Sequence, residues 1–173
     1  MKRSIALAFI IAFLAASAKA QDDDDLLPEV GRIQSFGVAA GFTTNPGTFL
    51  MMGRLDFPIN IRGGDFTIGP VLQFGMEDED ALELFGATAN LKYYIPLEDV
   101  IGRRFRPSIE GGAGILLSGE EKSGSFLLMF GGGLEYAITR RIDVGAHIYA
   151  NPAPGPGEDF FMSYVFGTNF KLR

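Results

Sequence analysis

The chain has 173 residues, 47% of them hydrophobic and 21% charged, with mean hydropathy +0.17 and a sequence pI near 4.8. The absence of cysteine excludes a disulfide scaffold, a cysteine-ligated metal and a thiol nucleophile. An excess of 21 acidic over 15 basic residues argues against a nucleic-acid partner, and the length suits one domain.

Residues 1–20 read as a secretory signal peptide. Lys2 and Arg3 precede an apolar run from Ile5 to Ala16, and Ala18-Lys19-Ala20 supplies the small residues of a cleavage site. The apolar run is too short for a comfortable membrane-spanning helix. Its removal takes three basic residues and no acidic ones. Residues 21–30 open with Gln21 and Asp22 to Asp25 and read as an acidic, solvated linker. The remaining residues, 31–173, form the expected folded domain.

From residue 31 onward no segment offers the roughly 20 apolar residues of a membrane helix. The longest run, Phe126 to Leu134, is broken by Gly131, Gly132 and Gly133. Apolar residues recur instead at every second position, the signature of strands. Phe66, Ile68, Pro70, Leu72, Phe74 and Met76 share one face, and Thr67, Gly69, Val71, Gln73 and Gly75 the other. The spacing predicts strands near 32–42, 48–57, 65–76, 82–95, 105–118, 125–138, 141–150 and 160–172. Turn-rich segments divide them, among them Asn45-Pro46-Gly47, Pro58 to Gly64 and Asn151 to Asp159. Eight consecutive strands with short connections imply an all-β, antiparallel, up-and-down barrel. Pro70, which lacks a ladder donor, is expected to mark a bulge or local irregularity.

The two faces differ in bulk. One carries Phe49, Met51, Leu55, Phe57, Ile109, Ile115 and Phe126, the other glycines and sparse polar groups. The interior of an eight-stranded barrel is only wide enough for side chains to fill it. The bulky face must therefore point out, which argues against a soluble lipocalin-like binder. Each large apolar side chain left in water forgoes about 1.5–3 kcal/mol, so the outer solvent is lipid. Closure then satisfies every backbone group, as a bilayer demands. Connection charges sort accordingly. Glu77 to Asp80, Glu120, Glu121, Glu158 and Asp159 lie at one end with only Lys122 opposing, and Arg62, Arg103, Arg104, Arg140 and Arg141 at the other against Glu98 and Asp99. Both termini share the basic end, assigned to the periplasm by analogy with such barrels.

Apolar-out, polar-in alternation over segments of about ten residues is similar to that of the small OmpA/OmpX-type outer-membrane β-barrels. The resemblance runs from about Gly31 to Arg173. Val165-Phe166-Gly167-Thr168-Asn169-Phe170-Lys171-Leu172 resembles the C-terminal β-signal of outer-membrane proteins, with Gly167, Phe170 and Leu172 in its third, sixth and eighth places. The resemblance implies recognition by the barrel-assembly machinery and outer-membrane lipids as the surroundings. With tryptophan absent, Tyr93, Tyr136, Tyr149 and Tyr164 are the expected interfacial aromatics.

Arg54, Lys92, Glu110, Glu135, Asp143 and His147 are expected inside, with Glu83 and Lys171 as further members. Both signs are present, so the set reads as a structural network plugging the lumen. A Thr139-Arg140-Arg141 turn sets Ala137 opposite Asp143, Glu135 opposite Gly145 and Gly133 opposite His147. The two acids then become diagonal neighbours, and a cation such as Arg54 or Lys92 is expected between them. Outer-membrane lipid A deacylases pair a histidine with a serine two residues on. Here Tyr149 holds that place, while Ser163 on the neighbouring strand also faces inward. The glycine runs neither open a helix nor precede a lysine, so phosphate-loop mechanics are absent. Glu77 to Asp80 lacks the spacing of a calcium loop.

The expected protein is a monomeric, non-enzymatic outer-membrane barrel with a structural or surface-interaction role and no cofactor or metal. A narrow pore for small solutes and a lipid-modifying enzyme are the alternatives.

Overall fold

A computed structural model describes residues 35–44, 47–61, 64–76, 82–97, 101–118, 123–153 and 160–172. The signal peptide with Ala18 and Ala20, the acidic linker and the acidic connections lie outside the described residues, as does the side chain of Glu83. Eight strands follow one another: β1 (Ser35–Thr43), β2 (Phe49–Ile61), β3 (Gly64–Met76), β4 (Leu82–Tyr94), β5 (Phe105–Ser118), β6 (Ser123–Ala137), β7 (Ile142–Pro152) and β8 (Phe160–Lys171). Each pairs antiparallel with its successor, and β1 closes the barrel on β8 from Ser35↔Lys171 to Thr43↔Ser163. The start of β1 and the end of β8 share one end with the turns before β5 and β7. There Lys171 N–H donates to the Arg141 carbonyl at 2.8 Å, and Ala137 N–H to that of Arg104 at 2.8 Å.

Local chemistry explains these two turns. The Thr139 hydroxyl accepts from the backbone N–H groups of Arg141 (3.2 Å) and Ile142 (3.0 Å), closing the turn that the sequence predicts. The expected pairs Ala137↔Asp143, Glu135↔Gly145 and Gly133↔His147 all form. Before β5, Gly102 takes φ 87°, a left-handed conformation that glycine adopts without steric cost.

Pro58 departs from expectation, whereas Pro70 marks the expected local irregularity. Pro58 does not end its strand: β2 runs on to Ile61, with Pro58 opposite Thr67. Pairing of β2 with β1 stops at Asp56 among the described residues, so the missing proline donor falls where one side of β2 has no described partner. At Pro70 there is an interruption without a bulge. Pairing of β2 with β3 lapses between Arg54↔Val71 and Phe57↔Ile68 and resumes in the same register. On the β4 side Pro70 pairs with Ala89 in an unbroken ladder, and the register shift comes at Gly75/Met76.

The outward face is apolar. Phe42, Ile109, Ile115, Phe126, Phe130 and Ile148 each leave more than half of their area uncovered, and Phe166 leaves 68%. Four directly facing pairs of aromatics sit near the strand ends. Phe66–Tyr93 (ring centroids 4.7 Å apart) and Phe105–Tyr136 (4.9 Å) lie towards the basic turns, and Phe42–Tyr164 (5.3 Å) and Phe74–Phe85 (5.2 Å) towards the other end. Such cross-strand pairs each add a few tenths to about 1 kcal/mol. On β3 the two levels, Phe66 and Phe74, are about 26 Å apart along the strand at ~3.3 Å per residue. Tyr149 is the exception among the expected interfacial tyrosines. It is fully buried inside, because it shares strand parity with His147.

The interior corrects a second expectation. Glycine and polar groups do not fill it alone: Leu50, Met52, Leu84, Leu116, Leu127, Met129 and Phe161 point inward and form a buried apolar cluster in the half away from the basic turns. In Leu50-Met51-Met52 and Leu127-Leu128-Met129 both faces are apolar, so alternation conceals which residues enter the lumen.

Candidate functional site

The half of the lumen nearer the basic turns holds a continuous network of charges. Arg54 on β2 grips Asp56 on its own strand with two donors, Nη2 at 2.7 Å and Nε at 3.0 Å. Its Nη1 also reaches Glu110 on β5 at 3.0 Å. Glu110 is completed by the Asn90 amide (2.7 Å) and the Tyr149 hydroxyl (3.1 Å). Lys92 on β4 donates to Glu135 on β6 at 2.9 Å and lies 3.5 Å from Asp56, which joins the two clusters. Glu135 further accepts from Tyr94 (3.2 Å), Arg106 (3.1 Å) and Asn169 (3.0 Å). Arg106 also pairs with Asp143, and Lys171 reaches the other oxygen of Asp143 at 2.9 Å.

Four cations thus meet four carboxylates: Arg54, Lys92, Arg106 and Lys171 against Asp56, Glu110, Glu135 and Asp143. Desolvated charges are tolerated only when paired and hydrogen-bonded, and this balance supplies both conditions. Arg106 also lies over the Tyr94 ring, 4.8 Å from its centroid.

Glycines make the room. A Cβ on Gly133 would collide with the His147 ring. On Gly37 it would stand 2.7 Å from the Arg54 side chain. Bare backbone opposite long side chains is what lets a narrow barrel hold them.

The cation between Glu135 and Asp143 is Arg106, in place of the expected Arg54 or Lys92. Lys92 serves Glu135 and Asp56 but not Asp143, and Arg54 belongs to Asp56 and Glu110. Sequence reasoning passed over Asp56, Tyr94, Arg106 and the inward role of Tyr149. Strand parity holds the signal for all four. Asp56 lies two residues from Arg54, Tyr94 two from Lys92, Tyr149 two from His147, and Arg106 four from Glu110.

His147 stacks on Tyr149, with centroids 5.9 Å apart and planes at 1°, and its Nε2 lies 3.7 Å from Glu135. Ser163 instead accepts from the Asn151 amide at 2.9 Å. Among the described residues no hydrogen bond joins His147 to Ser163. Between His147, Arg54, Tyr149 and Asn169 lies a cavity of about 10 Å³, room for about one water.

In the C-terminal motif, Phe170 is half-buried on the outer wall between Phe36 and Ile142, and Leu172 is exposed. Gly167 lies opposite Ala39 and Gly145, where a Cβ would stand 2.5 Å from the Ala39 side chain.

No protein-family model and no curated protein matches the chain in sequence. Among solved structures it is similar to Neisserial surface protein A (NspA), at 15% identity and a TM-score of 0.60, covering 80% of this chain and 96% of that one. The N-terminal β-barrel domain of Pseudomonas aeruginosa OprF gives 13% identity and a TM-score of 0.60, over 83% of this chain and 100% of the domain. The outer membrane enzyme PagL gives 18% and 0.54, over 80% and 99%. At such identities the likeness is one of backbone architecture. The closed antiparallel barrel has the fold of the small eight-stranded outer-membrane proteins, the OmpA/OmpX type.

Proposed function

We propose that the chain is an integral outer-membrane protein whose sealed barrel serves a structural or surface role in the envelope. The barrel neither conducts solutes nor carries out catalysis. A filled interior inside an apolar, aromatic-flanked wall is the observation that carries this reading. A pore needs a continuous polar path, and the apolar cluster interrupts one in the half that the ionic network leaves. Export by the signal peptide and insertion through Gly167, Phe170 and Leu172 would deliver a monomer to the outer membrane. The basic turns would face the periplasm.

Two measurements test this. Unboiled protein from the membrane fraction migrates differently from boiled protein on a detergent gel, whereas unchanged migration with recovery from the soluble periplasm overturns the membrane reading. Purified barrel in planar bilayers is electrically silent, and reproducible unitary steps would establish the pore instead. The competing reading, acyl-chain removal from lipid A, would have to run through His147, the only histidine in the sequence. If His147→Ala abolished such removal in cells, the non-catalytic role would fall.

A further inference from the structure

The outer wall is not uniformly bulky. Over β7, β8 and β1 it presents Val144, Ala146, Thr168, Val38 and Ala40, flanked by Phe166 on one side and by Leu134 and Tyr136 on the other. The result is an apolar groove of about 510 Å³, within the ~300–1,000 Å³ range of ligand clefts. Its end towards the basic turns is marked by the Phe105–Tyr136 pair. Just beyond lies the turn bearing Arg140 and Arg141. Arg141 is three residues before Val144, a step of about 10 Å at ~3.3 Å per residue. Neither arginine pairs with a carboxylate among the described residues, and Arg140 Nε is buried without a hydrogen-bond partner. Lys171, the neighbouring cation, is already engaged by Asp143.

We propose that this groove and turn form a binding site for one anionic membrane phospholipid, with an acyl chain along Ala146 and Thr168 and the phosphate on Arg140 and Arg141. The inference rests on the barrel spanning a bilayer. Aromatic pairs settle at the headgroup boundary, so arginines just outside them stand at the level of the phosphates. Charge decides against a second copy of the chain as occupant. A two-fold contact would bring two arginine turns into one interface, and like charges there oppose association. A lipid with a negative headgroup satisfies the groove and the turn together.

The test is native mass spectrometry of the refolded barrel with equal amounts of palmitoyl-oleoyl phosphatidylglycerol and phosphatidylcholine. Wild-type protein retains phosphatidylglycerol in preference. Arg140→Gln with Arg141→Gln reduces that preference by about thirtyfold, at roughly tenfold per 1.4 kcal/mol and ~1 kcal/mol per arginine at the surface. Arg140→Lys with Arg141→Lys keeps most of it. Ala146→Phe, which fills the groove from the lipid side, loses both lipids. Equal retention of the two lipids by wild type, or unchanged preference in the double glutamine variant, overturns the site and leaves ordinary boundary lipid. A dimer that Ala146→Phe dissolves overturns it in favour of a second copy. The boiled and unboiled gel is run on each variant. A shift without lipid preference refutes only this site, whereas no shift in wild type refutes the membrane reading and the site with it.

Discussion

The two halves of the barrel interior are filled by opposite chemistries. Towards the acidic connections, Leu50, Leu116, Leu127, Met129 and Phe161 meet in a buried apolar cluster. Towards the basic turns, Arg54, Lys92, Arg106 and Lys171 meet four carboxylates. Both exclude solvent, but they are stabilised differently. The apolar half gains from area removed from water and tolerates change in proportion to volume. The polar half gains little over an apolar replacement as a whole, yet suffers greatly when one member is removed, because a buried charge is then left alone. At the boundary the Gln73 amide donates to the Met129 sulfur at 3.1 Å, and the Tyr149 hydroxyl to Glu110.

The sharpest test of this contrast is Glu135→Ala, which leaves Lys92 only its 3.5 Å contact with Asp56 and takes one of two acids from Arg106. It should cost about 3–5 kcal/mol, measured by urea unfolding of the barrel refolded in micelles. Replacing Glu135, Lys92 and Arg106 together by apolar residues of similar volume should recover most of that loss. Failure to recover would mean that the network is worth more than its balanced charges. In the apolar half, Leu116→Ala should cost about 2–4 kcal/mol by the same unfolding measurement, in proportion to the cavity left. A cost well under 1 kcal/mol would show the cluster to be loosely packed. The smallest effect belongs to the boundary. Tyr149→Phe removes one donor to Glu110 while Arg54 and Asn90 remain, so about 1 kcal/mol is expected. A loss as large as that of Glu135→Ala would extend the polar half across the whole barrel.

How far the sequence carries depends on the contrast between strand faces. On β3, Thr67 and Gln73 alternate with Phe66, Leu72 and Phe74, and the inward set is plain. Along β7 the register read from one threonine-arginine turn agrees with the pairs that form. Where neighbouring residues are all apolar, as in Phe126 to Phe130 and in Phe160-Phe161, a period of two carries no phase. Arg106 escaped for another reason. It follows Arg103 and Arg104 of the connection, and only its parity with Glu110 separates an inward arginine from rim charge.

The sequence by itself determined the strands, their order and the need for an apolar surrounding, because these follow from alternation and from the volume that a narrow lumen can hold. Tertiary structure alone decided which cation meets which acid, that half of the plug is apolar, and where the outer wall thins into a groove. Those outcomes depend on side chains from strands far apart in sequence. Closure brings Lys92 to Glu135, and Val144 beside Thr168 and Val38, and no local pattern records such meetings.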